Sequence, residues 1–274
     1  MKQFVLAVFL LLNPYNIFGQ KEYQIRTVAF YNLENLFDPF DDPEINDEAS
    51  PIMELKGNKV EVYKMKLENM ARVIADIGRD ISKNAPVILG VAEVENMTVL
   101  DDLVRSESLK NYRYGIIHYN SPDLRGIDVA FLYQEQYFKP INHEPFELKL
   151  WDDQGRRIYT RDQLLVSGYL DGELVHFIVN HWPSRRGGEE KSRYKREKAA
   201  YLNTQIIEKI RLNETNAKIV LMGDLNDDPM NSSLKEVLKT KSKKELLTPG
   251  DIFNPMEELF NRGQNTLVYR DNIN

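Results

Sequence analysis

Residues 218–229, with the sequence Lys-Ile-Val-Leu-Met-Gly-Asp-Leu-Asn-Asp-Asp-Pro, constrain the possible fold more than any other stretch of the chain. The apolar residues before Gly223 form a short aliphatic run that the glycine ends, which predicts a buried strand. Asp224 and Asn226 follow at once, so the sheet would hold a carboxylate and a carboxamide at the edge of a cleft. Such a pair can orient a water molecule and hold phosphate oxygens. An ordinary Asx-Pro turn is the alternative that this stretch leaves open.

Two long amphipathic helices are predicted elsewhere in the chain. The first begins at Asn58, with Glu61 in capping-box spacing, and the second extends from about Lys191 to Leu212. Apolar residues recur at steps of three and four along the first helix, which predicts that one face is buried. They are Tyr63, Leu67, Met70, Ile74, Ile77 and Ile81.

Apolar strands alternate with these helices. The run 87–91 is apolar throughout, as is typical of a strand buried on both faces, and Asp171-Gly172 between two apolar segments indicates a hairpin. This mixture predicts an α/β (α+β) fold in which two mixed sheets are flanked by helices. The acidic segment 38–55 is predicted to be a solvated loop, with a calcium site as the alternative.

The first 19 residues have the features of a secretory signal peptide. Lys2 precedes an apolar run from Phe4 to Leu12, which is too short to span a bilayer, and Gly19-Gln20 offers a cleavage site. We therefore expect an exported protein, periplasmic or extracellular, in which residues 20–274 form one domain. A buried N-terminal helix is the alternative interpretation.

Composition excludes several classes of function. The chain has no cysteine, which rules out thiolate metal sites, cysteine nucleophiles and a lipobox anchor. We expect no stable membrane anchor and a monomer, and no motif implies a protein partner. The net charge of −6 does not favour polyanion binding by the whole surface, so any such contact would need local basic patches.

Polar side chains follow four of the apolar strands. They are Asn32 and Glu34, then Glu93, then His181, and finally the Asp224 and Asn226 pair. Strand ends converge at ligand sites in open sheets, so these endings can form one site. Carboxylates and carboxamides suit Mg²⁺, Mn²⁺ or Ca²⁺ better than zinc. The chain contains neither a P-loop nor a Gly-x-Ser-x-Gly motif.

Four motifs in one order resemble a known superfamily. They are Asn32-Leu-Glu-Asn-Leu-Phe, Glu93 after a buried strand, Asn180-His-Trp-Pro-Ser-Arg-Arg-Gly-Gly, and Gly223-Asp-Leu-Asn-Asp-Asp-Pro. The chain resembles the endonuclease/exonuclease/phosphatase superfamily over residues 25–269. Members include pancreatic-type deoxyribonuclease, abasic-site endonucleases, sphingomyelinases and inositol polyphosphate 5-phosphatases. The resemblance implies a four-layer αββα sandwich and a divalent-metal phosphoesterase that uses Mg²⁺, with Mn²⁺ or Ca²⁺ as alternatives.

The resemblance also implies residues at the metal. Glu93 matches the carboxylate that binds the metal, and Asn32 matches the asparagine that orients the metal site and the phosphate. Glu34 matches a position that is an acidic neighbour of the metal in some members only, and a solvated loop glutamate is the alternative.

Three further positions match residues that act on the phosphate. His181 resembles the histidine that contacts the scissile phosphate or protonates its leaving group. Asp224 resembles the residue that orients or deprotonates the attacking water, and Asn226 resembles its partner, which donates to the pentacovalent phosphate.

Basic residues beside these motifs are predicted to bind substrate. Arg125, together with Asp128, lies where the family often places a substrate-side loop, and Arg185 and Arg186 adjoin the histidine motif. The basic residues of 191–198 are interpreted as a solvated helix face. We expect an exported nuclease that cleaves phosphodiesters, most simply in nucleic acid. A lipid or inositol-phosphate phosphoesterase and a non-catalytic phospholigand-binding protein are the alternatives.

One motif of the family has no match. The family closes its site with a C-terminal Ser-Asp-His, whereas the four histidines here, His118, His143, His176 and His181, all precede Gly223. We therefore expect the domain to be incomplete at its C-terminus and to lack its last strands, either as part of a longer reading frame or as a natural truncation. The chain as written is expected to be at least about 10²-fold slower than a completed one.

Overall fold

The computed structural model describes residues 24–264, so the predicted signal peptide and residues 265–274 lie outside the described residues. The strands are β1 (Val28–Leu36), β2 (Ile88–Val94), β3 (Tyr114–His118), β4 (Asp128–Gln134), β5 (Phe138–Phe146), β6 (Leu150–Trp151), β7 (Arg157–Ile158), β8 (Gln163–Leu170), β9 (Glu173–His181) and β10 (Ile219–Asp224). The helices are α1 (Lys59–Asp76), α2 (Arg79–Ser82), α3 (Met97–Arg105), α4 (Glu189–Asn213) and α5 (Met256–Asn261). Short 3₁₀ turns at Asp47–Ala49, Lys110–Tyr112 and Lys244–Leu246 and a π-helical turn at Ser233–Val237 complete the elements.

Two four-stranded sheets form the centre of the molecule. Sheet 1 has the order β1-β2-β4-β3 and sheet 2 the order β10-β9-β8-β5, while β6 and β7 form a separate small ribbon. β1 and β2 are parallel, as are β9 and β10, and the other neighbours are antiparallel. The prediction of mixed sheets, and of a hairpin at Asp171-Gly172 between β8 and β9, is confirmed.

The sheets face each other, with helices on the outside. Phe131 from sheet 1 packs with Phe138 and Phe177 from sheet 2 in the core between the sheets. A second core joins sheet 1 to α1 and α3, and a third joins sheet 2 to α4. The layers therefore follow the predicted αββα order. β2 is apolar from Ile88 to Ala92 because its successive residues enter two cores: Leu89 and Val91 face the helices, whereas Ile88 faces sheet 2.

The prediction for the first helix was right about its buried face and its start, since Asn58 directly precedes Lys59, and wrong about its cap and its end. Asn58 takes a left-handed conformation (φ +57°) and makes no side-chain cap hydrogen bond. The helix ends at Asp76, because the chain turns at Ile77 and Gly78 into the short α2, and Ile81 is 64% exposed. No helix within residues 24–264 has the length and apolar character that a membrane span requires.

Strand direction brings the polar strand ends together. Parallel pairing places the carboxyl ends of β1 and β2 at one edge of sheet 1, and those of β9 and β10 at one edge of sheet 2. β1 lies across from β10 in the facing sheet. Asn32 and Glu34 were predicted to follow the first strand, but β1 continues to Leu36 and so includes them. We call the edge that carries these ends the site end, and the opposite edge the far end.

Candidate metal and phosphate site

A β-bulge directs Glu93 into the site. In the β2–β4 pairing, Ala92 is opposite Val129 and Val94 is opposite Asp128, which leaves Glu93 as an extra residue. Its φ of +60° is uncommon for a residue with a β-carbon. Bulges of this kind bend a strand and re-aim a side chain next to active sites. Local backbone geometry, and not only the strand ending, therefore sets the direction of this carboxylate.

Glu93, His181 and Asp224 form a potential metal-binding group. Each offers one ligand atom, and these atoms all lie within 4.8 Å of one another. The Glu93 Oε1 to His181 Nε2 distance is 3.7 Å, and the two side chains are 20% and 5% exposed. Two carboxylates and an imidazole suit a divalent cation, so the residues present fit a metal. The group joins Glu93 of sheet 1 to two residues of sheet 2.

His181 is buried and neutral. Burial, followed by the charges of Arg161 and Arg125, holds the pKa of His181 well below its ordinary value of 6.5. A neutral imidazole has a free lone pair for a metal, whereas a protonated one does not. Its Nδ1 atom is buried and has no hydrogen-bond partner among the described residues. The geometry thus adds a metal-ligating position to the phosphate-side role predicted for this histidine.

Asn32 and Asn226 hold the Asp224 carboxylate from two sides. Asn32 Nδ2 donates to Asp224 Oδ2 at 3.1 Å, and the backbone N–H of Asn226 donates to Asp224 Oδ1 at 3.0 Å. Asn32 Oδ1 in turn accepts from the backbone N–H of Glu34 at 2.8 Å. Asp224 is therefore fixed in one orientation while lone pairs on both oxygens stay available.

Asn226 and Gly223 shape the loop after β10. Asn226 has φ +52°, and its Nδ2 donates to the carbonyl of Trp182 at 2.9 Å. A carbonyl can only accept, so this bond fixes which end of the carboxamide faces Trp182. A β-carbon on Gly223 would lie 2.2 Å from the carbonyl oxygen of Asn180, so only glycine permits this approach of β10 to β9.

The remaining predicted residues lie around this centre with different contacts. Glu34 is exposed, its φ is +50°, and its carboxylate lies outside the three-residue metal group. Lys66 donates through Nζ to the backbone carbonyl of Asn35 at 2.8 Å, and Asn35 N–H donates to Glu93 Oε2 at 3.0 Å. This part of the motif supports Glu93 through the backbone.

The three arginines predicted to bind substrate differ in their exposure and in the hydrogen bonds that they already make. Arg125 is half-exposed and donates through Nε and an NH2 group to Asp123, at 3.2 Å each. Arg185 donates to the Asn226 carbonyl and to Asp228, each at 3.0 Å. Arg186 is exposed. Substrate binding by these residues stays a prediction, and two of them already stabilise loops at the site.

Asp128 makes structural contacts at the start of β4. His118 Nε2 lies 2.9 Å from one of its oxygens, and the backbone N–H of Ser121 donates to the other at 2.8 Å. These bonds anchor the loop between β3 and β4. Of the residues predicted at the site, the structure brings Asn32, Glu93, His181, Asp224 and Asn226 together.

Sequence reasoning missed Arg161 and Asp123. The two side chains are 6% and 5% exposed, and Arg161 NH1 donates to Asp123 Oδ2 at 3.2 Å. Burial raises the pKa of Asp123, but the hydrogen bond from Arg125 and the charge of Arg161 outweigh it and lower the pKa overall. Neither residue follows an apolar strand, so the pattern that found the other site residues could not find them.

The chain matches a known protein family over most of its length. The model of the Endonuclease/Exonuclease/phosphatase family matches residues 27–274. The chain belongs to this family. Members of the family are generally hydrolytic phosphoesterases that depend on a divalent metal. The comparison with curated proteins gave no significant match.

Solved structures of the family have similar folds at low sequence identity. A mannosyl-6-phosphatase from Bacteroides thetaiotaomicron is 19% identical, with a TM-score of 0.50, over 77% of this chain and 69% of that one. The human nocturnin catalytic domain is 17% identical, with a TM-score of 0.47, over 69% and 70%. TDP2 from Caenorhabditis elegans is 18% identical, with a TM-score of 0.44, over 61% of this chain. The match covers only 43% of the TDP2 chain.

Proposed function

We propose that this chain hydrolyses phosphodiesters by metal-assisted attack of water on phosphorus. The observation that carries the proposal is the convergence of Glu93, His181 and Asp224 from two facing sheets. Asn32, which holds Asp224, completes the set of oxygen and nitrogen donors that a cation and a phosphate need. Membership of a phosphoesterase family supports the same reaction class.

Mg²⁺ is the proposed metal, with Mn²⁺ or Ca²⁺ as alternatives. Glu93, His181 and Asp224 would hold it, and the imidazole nitrogen makes Mn²⁺ a suitable substitute. A bound divalent cation would supply positive charge to the phosphate oxygens, where negative charge develops during the reaction.

Asp224 and Asn226 have complementary proposed roles. Asp224 Oδ1 and Oδ2 each accept one hydrogen bond from the protein, so each retains a lone pair that can orient the attacking water. Asn226 uses one N–H of its carboxamide on Trp182, and the second N–H is free to donate to a phosphate oxygen. His181, buried and uncharged, would act as a ligand or hydrogen-bonding group, and not as a cation.

The proposed substrate is a nucleic-acid phosphodiester. Arg186, which is exposed, and Arg125, which is half-exposed, are the proposed contacts to its flanking phosphates. Lipid and inositol phosphates are the alternative substrates, because the metal and phosphate chemistry would be the same.

The test is hydrolysis by the purified full-length chain. The substrates are DNA, RNA, sphingomyelin, an inositol polyphosphate and a sugar phosphate, each with Mg²⁺, with Mn²⁺ or with EDTA. We expect metal-dependent release from nucleic acid. Asp224→Asn and Glu93→Gln should lower the rate by about 10²–10⁴, or about 3–5 kcal/mol in the barrier.

Glu173→Gln is the matched control. It makes the same chemical change in an exposed carboxylate at the far end, where Glu173 pairs with Lys218. It should hydrolyse as the wild type does. Release that EDTA does not affect, or equal rates for all three variants, would refute the proposed mechanism.

We also propose that the protein is exported, with residues 1–19 as the signal peptide. N-terminal sequencing of the protein recovered from a producing cell tests this directly. A mature chain that begins near residue 20 is expected, whereas an intact Met1 would contradict the proposal.

A further inference from the structure

The proposed metal group depends on how the two sheets are held together. Glu93 belongs to β2 of sheet 1, whereas His181 and Asp224 end β9 and β10 of sheet 2. No backbone hydrogen-bond ladder joins one sheet to the other among residues 24–264. The separation of Glu93 from the other two residues therefore rests on side-chain contacts between the sheets, which comprise the core between them and further contacts at the site end.

One such contact is a buried ion pair. Asp123 lies in the loop between β3 and β4 of sheet 1, and Arg161 precedes β8 of sheet 2. Arg161 NH1 donates to Asp123 Oδ2 at 3.2 Å, and both side chains are more than nine-tenths buried. The pair thus bridges the sheets where solvent cannot screen it.

Arg161 also reaches the catalytic side of the site. Its NH2 group donates to the carbonyl of Trp182 at 2.6 Å, and Trp182 directly follows His181. The same carbonyl accepts from Asn226 Nδ2 at 2.9 Å. Hydrogen bonds therefore run without interruption from Asp123, through Arg161 and the Trp182 carbonyl, to Asn226 and on to Asp224.

The loop that carries Asp123 is itself held in place. Asp123 accepts from the backbone N–H of Arg125 at 3.0 Å and from its guanidinium. Asp128 binds the backbone N–H of Ser121 at the start of the same loop. Asp123 therefore holds Arg161 in a fixed position relative to sheet 1. Through Arg161, it also fixes the end of β9 relative to sheet 1.

We propose that Asp123 and Arg161 are positioning residues that set the separation of Glu93 from His181 and Asp224, and so the affinity of the site for its metal. The inference rests on the proposed metal site. Residues that orient metal ligands without touching the metal typically change affinity or activity by about 10–100-fold when mutated.

The test measures Mn²⁺ affinity by isothermal titration calorimetry, with no substrate present, alongside thermal unfolding. Asp123→Asn should bind Mn²⁺ about 10–100-fold more weakly than the wild type. Arg161→Lys keeps the positive charge but loses the planar guanidinium group that donates to two acceptors. Its Mn²⁺ affinity should therefore lie between that of the wild type and that of Arg161→Met. A far-end control, Gln134→Leu, removes buried hydrogen bonds to the Ala85 and Pro86 carbonyls and should leave affinity unchanged.

A double variant separates positioning from simple stability. Asp123→Leu with Arg161→Met leaves no unpaired buried charge, so it should fold even where a single variant does not. Its Mn²⁺ affinity should still be low, because the bond to the Trp182 carbonyl is gone. Wild-type affinity in the double variant or in folded Asp123→Asn would overturn the inference.

Two further variants tell the failure of the inference from the failure of the proposed site. If Glu93→Gln and Asp224→Asn lose Mn²⁺ binding while the Asp123 and Arg161 variants keep it, only the positioning role fails. If Glu93→Gln and Asp224→Asn also bind like the wild type, the proposed metal site itself is wrong, and the positioning inference falls with it.

Discussion

The two ends of the sandwich treat their buried polar groups differently. At the far end, Gln134 donates to two backbone carbonyls, and His176 is bonded on both ring nitrogens, to Ser167 and Glu214. At the site end, five buried side-chain atoms lack a partner among the described residues. They are Thr160 Oγ1, Arg161 Nε, Asp162 Oδ1, Gln163 Oε1 and His181 Nδ1.

Backbone conformation shows the same contrast. Positive φ at the far end serves chain reversal, as in the Asp171-Gly172 hairpin turn (φ +48° and +87°). At the site end, Glu93 and Asn226 take positive φ and are themselves proposed functional residues. Unpartnered polar groups and uncommon backbone geometry cost stability, and proteins retain them where function requires them. The polar groups named at the far end are paired, whereas those named at the site end include groups that lower stability.

The largest expected effect lies in the aromatic core between the sheets. Phe177 is fully buried against Phe131 and Phe138, so Phe177→Ala should lower the free energy of unfolding by about 3–5 kcal/mol. Urea unfolding measures the loss, and calorimetry should find Mn²⁺ affinity within about threefold of the wild type. A much larger loss of affinity would mean that the core and the site are not separable.

Metal binding should stabilise the site end by a somewhat smaller amount. At a Mn²⁺ concentration of about 100 times Kd, the free energy of unfolding should rise by about 3 kcal/mol. Glu93→Gln should lose most of this gain, because one ligand of the proposed group is weakened. Thermal unfolding with and without Mn²⁺ measures both. If Mn²⁺ raised the free energy of unfolding of Glu93→Gln as much as that of the wild type, this would be evidence against Glu93 as a ligand.

The next effect concerns pH. Burial, followed by the charges of Glu147 and Asp128, raises the pKa of Asp162 to about 6. The Asp162 carboxyl then binds its proton more tightly in the folded state than in the unfolded state. The contribution of the protonated carboxyl to stability is therefore complete below about pH 3.8 and is lost as pH rises through 6.

Asp162→Asn should remove that loss and be more stable than the wild type at pH 7.5. The gain should be about 1 kcal/mol, because Asp162 is partly exposed and solvent screens its charge. Unfolding at pH 3.5 is the control, since the two proteins should then be similar. The role given to Asp162 is wrong if the free energy of unfolding of the variant depends on pH as that of the wild type does between pH 4 and 7.

Glu34→Gly has the smallest expected effect and tests one prediction from the sequence. A β-carbon at φ +50° is strained, so glycine should raise the free energy of unfolding by up to about 1 kcal/mol. Mn²⁺ affinity should change by less than about twofold, because the Glu34 carboxylate lies outside the metal group. A tenfold loss of affinity would instead make Glu34 a neighbour of the metal.

Much of the site could be found from local patterns. Glu93, His181 and Asp224 each follow an apolar run, and a glycine or a polar residue ends each run abruptly. The same patterns predicted the hairpin at Asp171-Gly172 and two mixed sheets flanked by helices, both of which the structure has. The start of the first helix and both ends of the second, now α4 (Glu189–Asn213), were predicted to within about two residues. The end of the first helix was predicted too far along the chain, because the turn at Ile77 and Gly78 left no signal in the apolar spacing.

Contacts between distant segments could not be read in the same way. Arg161 and Asp123 lie 38 positions apart, and no periodicity links them. Asp128 looked like a residue of a substrate loop, yet it binds His118 and Ser121, since antiparallel pairing of β3 and β4 brings these residues together.

The sequence by itself determined which side chains stand at the ends of buried strands, because apolar runs and their stops are local properties of the chain. It also determined the family, through four motifs in one order. Only the tertiary structure decided that Glu93 turns inward on a bulge and meets His181, and that a buried Arg161 bridges the sheets. These are long-range contacts, and their geometry depends on how the two sheets pack together.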